Sequence, residues 1–172
     1  MKRSLRKLER HNPFEDRTPV HRRRVAQYLL ITLLSFAASV SLTRVFLEIT
    51  GYPKLGAGEI HIAHVLWGGL MLFFGAILPL IFMNEWVLRL SALLTGLGIG
   101  LFIDEVGKFI TQTNDYFHPA AAPIVYVFFL LTVLLFVIFR RKRKSTVRVE
   151  MYQIMEQFSE VLDHDLSPDE YH

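Results

Sequence analysis

Histidines and carboxylates lie near the ends of long apolar segments, where ionisable side chains are costly and usually serve a function or an ion pair. His61 and His64 open one such segment, and Asp104, Glu105 and Lys108 lie near the end of the next one. Two histidines three residues apart on a helix, with a carboxylate from a second helix, form the donor set of a Zn, Mn or Fe site. We therefore predict that His61, His64 and Asp104 ligate a divalent metal, with Glu105 and Lys108 as candidate catalytic groups.

Further ionisable residues are predicted to lie at the same, outer side of the membrane and to support this site. They are Arg44, Glu48, Glu59 and Asp115, with His118 as a candidate further metal ligand. Carboxylates outnumber cations in this set, and a net-negative, histidine-containing pocket of low dielectric favours a cation or a shared proton. A bound metal could activate water for hydrolysis of a lipid-like or periplasmic substrate at the membrane interface.

Three other interpretations remain open at the level of the sequence. His64, Asp104, Glu105 and Lys108 could relay protons or a cation with Arg44 as counter-charge, although the inner half of the apolar segments shows no matching ionisable chain. A haem between a histidine of the second segment and His118 is the geometrically loosest alternative. In the third interpretation the charged residues form only i, i+4 pairs, and the protein is a non-enzymatic membrane anchor or assembly subunit.

Four apolar segments must position these residues, and each approaches the roughly 20 residues that a membrane-spanning helix needs. They cover about 25–49, 60–83, 86–110 and 120–139. The first begins after a long polar stretch and is too long for the apolar part of a signal peptide, so we expect it to be retained. The predicted fold class is an all-α, four-helix transmembrane bundle (25–139), preceded by a basic segment (1–24) and followed by a basic run, a helix and a tail (140–172).

The positions of the basic residues predict the orientation of the bundle. Of the 19 lysines and arginines, 16 lie before the first segment, near the turn between the second and third, or after the fourth, and only Arg44, Lys54 and Lys108 lie towards the other side. Cytoplasmic loops are enriched in such residues. Both termini are therefore predicted to be cytoplasmic, which places His64 and Asp104 in the outer half of the membrane.

A helix with one apolar face is predicted after the basic run. Apolar residues recur at helical spacing between polar ones, namely Met151, Ile154, Met155, Phe158, Val161 and Leu162. Residues 147–163 could contact the lipid bilayer, a second copy of the chain in a homo-oligomer, or a cytoplasmic protein partner. Nucleic acid is not an expected partner, because the basic residues flank apolar segments. Residues 167–170 resemble a capping box, and we expect a disordered tail there.

Small residues predict how the helices pack. His61, His64, Gly68, Gly75 and Pro79 share one face of the second segment, and Gly96, Gly100, Asp104 and Lys108 form an i, i+4 stripe on the third. Small residues let membrane helices approach closely. We expect these two faces to pack together and to bring the histidines beside Asp104.

The chain has no cysteine, which excludes disulfides and thiolate chemistry.

Two segments resemble a group of uncharacterised prokaryotic multi-pass membrane proteins. They run from His61 to Gly69 (HIAHVLWGG) and from Gly98 to Thr111, which includes GLFIDEVGKFIT, followed by Asn114-Asp115-Tyr116-Phe117. The likeness covers roughly the second to the fourth apolar segment. It implies a prokaryotic cytoplasmic membrane, and it implies no activity, cofactor or catalytic residue.

Overall fold

A computed structural model describes residues 19–50, 64–110, 121–141 and 147–162, without the side chains of residues 106–110 and 121. Within these ranges the chain forms helices and no strand. The predicted sites at His61, Glu59, Asp115 and His118 lie outside the described residues, as does the predicted tail.

Five helices make up the described chain. They are α1 Val25–Thr50, α2 His64–Ile81, α3 Glu85–Ile110, α4 Ala121–Arg140 and α5 Val147–Leu162. Four stretches are long and apolar enough to cross a membrane: Val25–Thr50, His64–Ile81, Glu85–Glu105 and Ala122–Arg140. The all-helical architecture and the four membrane-compatible helices are therefore confirmed, while the side on which the termini lie stays a prediction.

Helix α3 is the centre of the bundle because small residues on two of its faces admit two different neighbours. A Cβ atom added at Gly68 of α2 would lie 2.8 Å from the amide nitrogen of Phe102 and 2.9 Å from the carbonyl oxygen of Gly98. On the other face, a Cβ added at Gly100 would meet the Ser39 side chain of α1 at 2.6 Å. Both contacts require glycine, since any side chain would separate the helices.

This arrangement corrects the predicted packing of the two glycine faces. The Gly68 face of α2 does pack on α3, but it meets Gly98 and Leu101 there. The stripe that contains Gly96 and Gly100 packs on α1 instead. Successive α-helical residues differ by about 100° in direction, so positions 96 and 98 face different neighbours.

Hydroxyl groups join the helices where no charge is present. Thr32 of α1 donates to the carbonyl oxygen of Ala92 at 3.1 Å, and Ser39 donates to that of Leu97 at 3.0 Å. Ser91 of α3 donates to the carbonyl oxygen of Gly75 in α2. Hydrogen bonds of this kind stabilise membrane helices by about 0.6 kcal/mol each.

Helix α5 presents opposite faces to the bundle and away from it. Glu156 and Glu160, one turn apart, contact the arginines that precede α1. The apolar side chains of the opposite face are exposed; they include Met151, Ile154, Met155, Phe158 and Leu162. A helix is therefore present over Val147–Leu162 and its acidic residues face the bundle, while its role as a cytoplasmic amphipathic helix stays a prediction.

Candidate functional site

Asp104 and Glu105 are consecutive acids near one end of α3, and both are almost completely buried. Because they point about 100° apart around the helix, each meets a different neighbour. Arg44 of α1 donates from Nε to Asp104 Oδ1 at 2.8 Å. The Val65 N–H in the first turn of α2 donates to Glu105 Oε2 at 2.6 Å. An amide in a first helical turn has no acceptor within its own helix, so Glu105 satisfies a group that would otherwise be buried without one.

His64 lies between these two carboxylates. Its Nδ1 is 3.3 Å from Glu105 Oε2, and its Nε2 is 3.9 Å from Asp104 Oδ2. The first distance lets Glu105 orient the imidazole ring. The second exceeds a hydrogen-bond length, so the two atoms face each other across a small gap. We call His64, Asp104, Glu105 and Arg44 the Asp104 cluster.

The gap between His64 Nε2 and Asp104 Oδ2 is close to the spacing of two ligands of one metal ion. Zinc–nitrogen and zinc–oxygen bonds of about 2.0–2.2 Å place two tetrahedral ligands about 3.4 Å apart, and an approach of about 0.5 Å would bring the 3.9 Å gap to that spacing. Metal-binding histidines usually give their other ring nitrogen to a carboxylate, which fixes the ring. Glu105 stands in that position relative to His64.

The structure brings part of the predicted site together. His64, Asp104, Glu105 and Arg44 meet, whereas Glu48 is exposed on α1. Lys108 belongs to α3, but its side chain is not among those described. Within the described ranges no three histidine or acidic side chains are arranged around one ion. The metal site therefore stays a prediction, in which a third ligand would come from outside these ranges.

A cavity of about 410 Å³ between α1 and α4 reaches the Asp104 cluster at Arg44. Its walls are mainly apolar and include Phe36, Val125 and Phe129, with Tyr126 and Ser41 as polar members. Arg44 uses Nε for Asp104 and keeps more than a third of its side chain exposed. An apolar cavity that ends at a guanidinium is suited to an amphiphile with a negative group.

A second buried cluster lies at the opposite end of α3, and sequence reasoning missed it. Glu85, the first residue of α3, is about 30 Å from Glu105 along the helix axis, at 1.5 Å per residue. The Arg24 guanidinium donates to Glu85 Oε1 at 2.7 Å and to Glu160 Oε2 of α5 at 3.3 Å. Tyr28 donates its hydroxyl to Glu85 Oε1 at 3.2 Å. We call Arg24, Tyr28, Glu85 and Glu160 the Glu85 cluster.

Three other arginines border the Glu85 cluster. Arg89 approaches Glu85 at 3.4 Å, Arg23 approaches Glu160 at 3.6 Å, and Arg22 is 3.8 Å from Glu156. By their place in the sequence these arginines indicate only the membrane orientation. The i, i+4 spacing of Glu156 and Glu160 on the polar face of α5 is the signal that could have indicated an acidic contact surface.

The comparisons with known proteins add no relative from which a function could be transferred. No protein-family model matches the chain, and no curated protein or solved structure matches it. The resemblance of the segments at 61–69 and 98–117 to prokaryotic multi-pass membrane proteins stays a prediction. Function must therefore be inferred from the two clusters, in a protein with four helices long and apolar enough to cross a membrane.

Proposed function

We propose that this chain is an integral membrane protein that binds a divalent cation in the Asp104 cluster, with His64 and Asp104 as ligands. The observation that carries the proposal is the imidazole of His64, which has Nδ1 on Glu105 and Nε2 facing Asp104 Oδ2 across 3.9 Å. A histidine oriented by one carboxylate and directed at a second is the arrangement found around protein-bound zinc.

Charge in the cluster favours a cation. Two buried carboxylates and one guanidinium leave a net negative charge when His64 is neutral. Arg44 engages only Oδ1 of Asp104 and so holds that carboxylate with Oδ2 towards His64. In this proposal Asp104 and His64 bind the ion, Glu105 positions His64, and Arg44 positions Asp104. His61, three residues before His64 in the sequence, is the proposed third ligand.

Hydrolysis is the reaction class that such a site would support. An ion with few protein ligands keeps a position for water and lowers the pKa of that water towards neutrality. The apolar cavity that ends at Arg44 supports a lipid-like substrate with an anionic group, whose chain would lie along Phe36 and Phe129. With the orientation that the basic residues predict, the reaction would take place in the outer half of a prokaryotic cell membrane.

Metal content tests the binding proposal directly. The full chain is purified in detergent with an affinity tag that contains no histidine, equilibrated with Zn²⁺, Mn²⁺ or Fe²⁺, and analysed by elemental mass spectrometry after dialysis. About one equivalent of one metal per chain is expected. His64→Ala and Asp104→Asn should each lower the affinity at least about tenfold, because each removes a ligand.

Matched variants separate the site from general metal adsorption. His21→Ala removes a histidine that packs edge-on against Phe139, 4.9 Å between ring centres, far from the Asp104 cluster. Glu150→Gln removes an exposed carboxylate of α5. Both should retain the metal. Retention of stoichiometric metal by folded His64→Ala and Asp104→Asn, or no metal in the unsubstituted protein, would contradict the proposal.

The anchor and transport interpretations stay predictions. The anchor interpretation gains one observation, the exposed apolar face of α5 opposite Glu156 and Glu160. The transport interpretation loses one objection, because the other end of α3 does carry a buried ionisable residue, Glu85. Absence of metal together with pH-dependent flux in liposomes that Asp104→Asn abolishes would favour transport.

A further inference from the structure

The Glu85 cluster places two carboxyl groups from different helices under one guanidinium. Arg24 donates to Glu85 Oε1 through one terminal nitrogen and to Glu160 Oε2 through the other. Glu160 is 1% exposed and Glu85 is 7% exposed, so water screens neither side chain well. The shared guanidinium brings the two carboxyl groups together, and each acts electrostatically on the other.

The oxygens of Glu85 and Glu160 that Arg24 does not contact indicate how the two acids are joined. Within the part of the chain that the structure describes, Glu85 Oε2 and Glu160 Oε1 are buried and receive no hydrogen-bond donor. Two ionised carboxylates offer only acceptors, and neither can satisfy the other. If one of them carries a proton, its O–H donates to the other, and one hydrogen bond satisfies both oxygens. Paired carboxyl groups that share a proton are a known solution to close like charges.

We propose that Glu85 and Glu160 share one proton, and that this proton fastens α5 to the end of the helix bundle. The proton is taken up from water when α5 docks and returns to water when it leaves. Arg24 remains bound to the other oxygen of each acid in the docked state. This inference is independent of metal binding, because it concerns the opposite end of α3.

Every charged or titratable group that faces the pair enters the balance. They are His21, Arg22, Arg23 and Arg24 from the segment before α1, Tyr28 from α1, Arg89 from α3, and Tyr152 and Glu156 from α5; His21 and Tyr152 line a cavity together with the pair. The arginines favour ionised acids, whereas burial and the second carboxylate favour a protonated one. Burial raises the pKa of Glu160, and the Glu85 carboxylate raises it further, against the opposing effects of Arg24 and Arg23.

Linkage then predicts the direction of the pH dependence. Because the pKa of Glu160 is higher when α5 is docked than in a free helix, the docked state binds the proton more tightly. The stabilisation of docking is complete below the ordinary glutamate pKa and is lost as pH rises through the raised value. A single shared proton changes the docking equilibrium by up to about tenfold per pH unit between these limits. Acidification therefore tightens α5 on the bundle, and alkaline pH loosens it.

A cavity beside the pair gives water a place from which to exchange the proton. It measures about 450 Å³ and lies between α5 and the adjoining ends of α2 and α3. Glu85 and Glu160 line it together with Pro79, Phe82 and Tyr152. The pair is thus almost completely buried, yet it borders a space large enough to hold water.

The experiment measures the docking of α5 in the full chain in lipid nanodiscs. Since the chain has no cysteine, spin labels can be placed at Leu80→Cys in α2 and Gln157→Cys in α5, both exposed positions, and the distance distribution is recorded by electron paramagnetic resonance over a pH series. A single narrow distance is expected at acid pH. A second, broad component should grow as pH rises, by up to about tenfold in ratio per pH unit.

Two glutamine variants decide whether Glu160 is the group that titrates. Glu160→Gln keeps the shape of the side chain and supplies an N–H donor to Glu85 without titrating, so its distance should stay narrow at every pH. Glu150→Gln, an exposed neighbour on the same helix, should follow the unsubstituted protein. The proposal is overturned if Glu160→Gln retains the full pH dependence, or if the unsubstituted protein shows none while circular dichroism reports it folded.

Infrared difference spectroscopy tests the proton without relying on docking. As the pH is lowered, the unsubstituted protein should gain the carbonyl-stretch band of a protonated carboxyl group, shifted in deuterium oxide, before exposed glutamates protonate, because the pKa of Glu160 is raised by burial and by Glu85. Glu160→Gln should lose this band and Glu150→Gln should keep it. A spectrum without the band, or a band unchanged in Glu160→Gln, would show that no proton is shared by the pair.

Discussion

The two ends of α3 bury acids in opposite ways. At the Asp104 end the acids are neighbours in one helix, and each has a donor of its own, Arg44 for Asp104 and the Val65 amide for Glu105. At the Glu85 end the acids come from two helices and converge on one guanidinium. The first arrangement leaves a gap between fixed ligands, which suits an ion. The second leaves one buried oxygen of each acid without a donor, which suits a proton.

This difference indicates that the Asp104 cluster is a binding site, whereas the Glu85 cluster holds α5 on the bundle. The Asp104 cluster joins the first three helices, which also pack through glycines and hydroxyl groups, so its geometry does not depend on the acids alone. Helix α5 is held through polar contacts of Glu156 and Glu160 with the segment before α1. Loss of charge should therefore alter binding at one end and stability at the other.

The largest expected effect is at the Glu85 end. Arg24→Ala removes the cation that two buried carboxyl groups share, and breaking a buried ion pair from one side costs about 3–5 kcal/mol. The free energy of unfolding in a detergent denaturation series measures it. Arg22→Ala is the control, since that side chain is 58% exposed and 3.8 Å from Glu156, and it should cost less than about 1 kcal/mol. Equal losses of unfolding free energy in the two variants would contradict the proposal that the Glu85 cluster holds α5 on the bundle.

At the Asp104 end, Glu105→Gln is expected to change binding more than folding. Groups that orient a metal ligand typically contribute about 10–100-fold to affinity, and the amide oxygen of the introduced glutamine could still accept a hydrogen bond from the Val65 N–H. Metal titration of the purified chain should show a dissociation constant about 10–100-fold higher. An unchanged constant would mean that Glu105 does not orient His64, and the interpretation of the 3.3 Å contact would fail.

Next in size is the glycine contact that sets the distance between α2 and α3. Gly68→Ala places a Cβ 2.8 Å from the amide nitrogen of Phe102, which cannot move without its helix, and overpacking of this kind costs about 1–3 kcal/mol. Gly69→Ala is the matched control, because a Cβ there meets nothing within 4 Å. It should be neutral or stabilise the helix by up to about 1 kcal/mol. Unfolding experiments that rank the two variants the other way would contradict the described packing.

The smallest expected effect lies midway between the clusters. Ser39→Ala removes the hydrogen bond to the Leu97 carbonyl oxygen, and membrane-protein hydrogen bonds of this type contribute about 0.6 kcal/mol. Metal binding and the pH dependence of α5 docking should both be unchanged. A large loss of stability would instead indicate that the α1–α3 contact, and not the terminal clusters, dominates the stability of the bundle.

Much of the fold could be predicted from the sequence. Four apolar segments predicted four helices, and four helices long and apolar enough to cross a membrane are present among the described residues. The approach of His64 to Asp104 was also predictable, because both lie at the same end of adjacent antiparallel helices. The predicted glycine pairing is wrong, since Gly96 and Gly98 are equally small and nothing in a single sequence tells which of them faces α2.

The Glu85 cluster could not be predicted in the same way. Arg24 and Glu160 are 136 residues apart, and each belongs to a charged stretch that already has an ordinary explanation in membrane orientation or helix solubility. Their contact depends on where α5 returns to the bundle. No periodicity within one segment contains that information, because it is a property of the connection between segments.

The sequence by itself determined that the chain forms four helices long and apolar enough to cross a membrane, because lipid offers no partner for backbone N–H and C=O groups and long apolar helices satisfy them internally. Tertiary structure alone decided which acid meets which cation. Consecutive side chains on a helix point about 100° apart. This rotation directs Asp104 towards α1 and Glu105 towards α2. Such choices depend on the shape of neighbouring helices, which no local pattern of residues records.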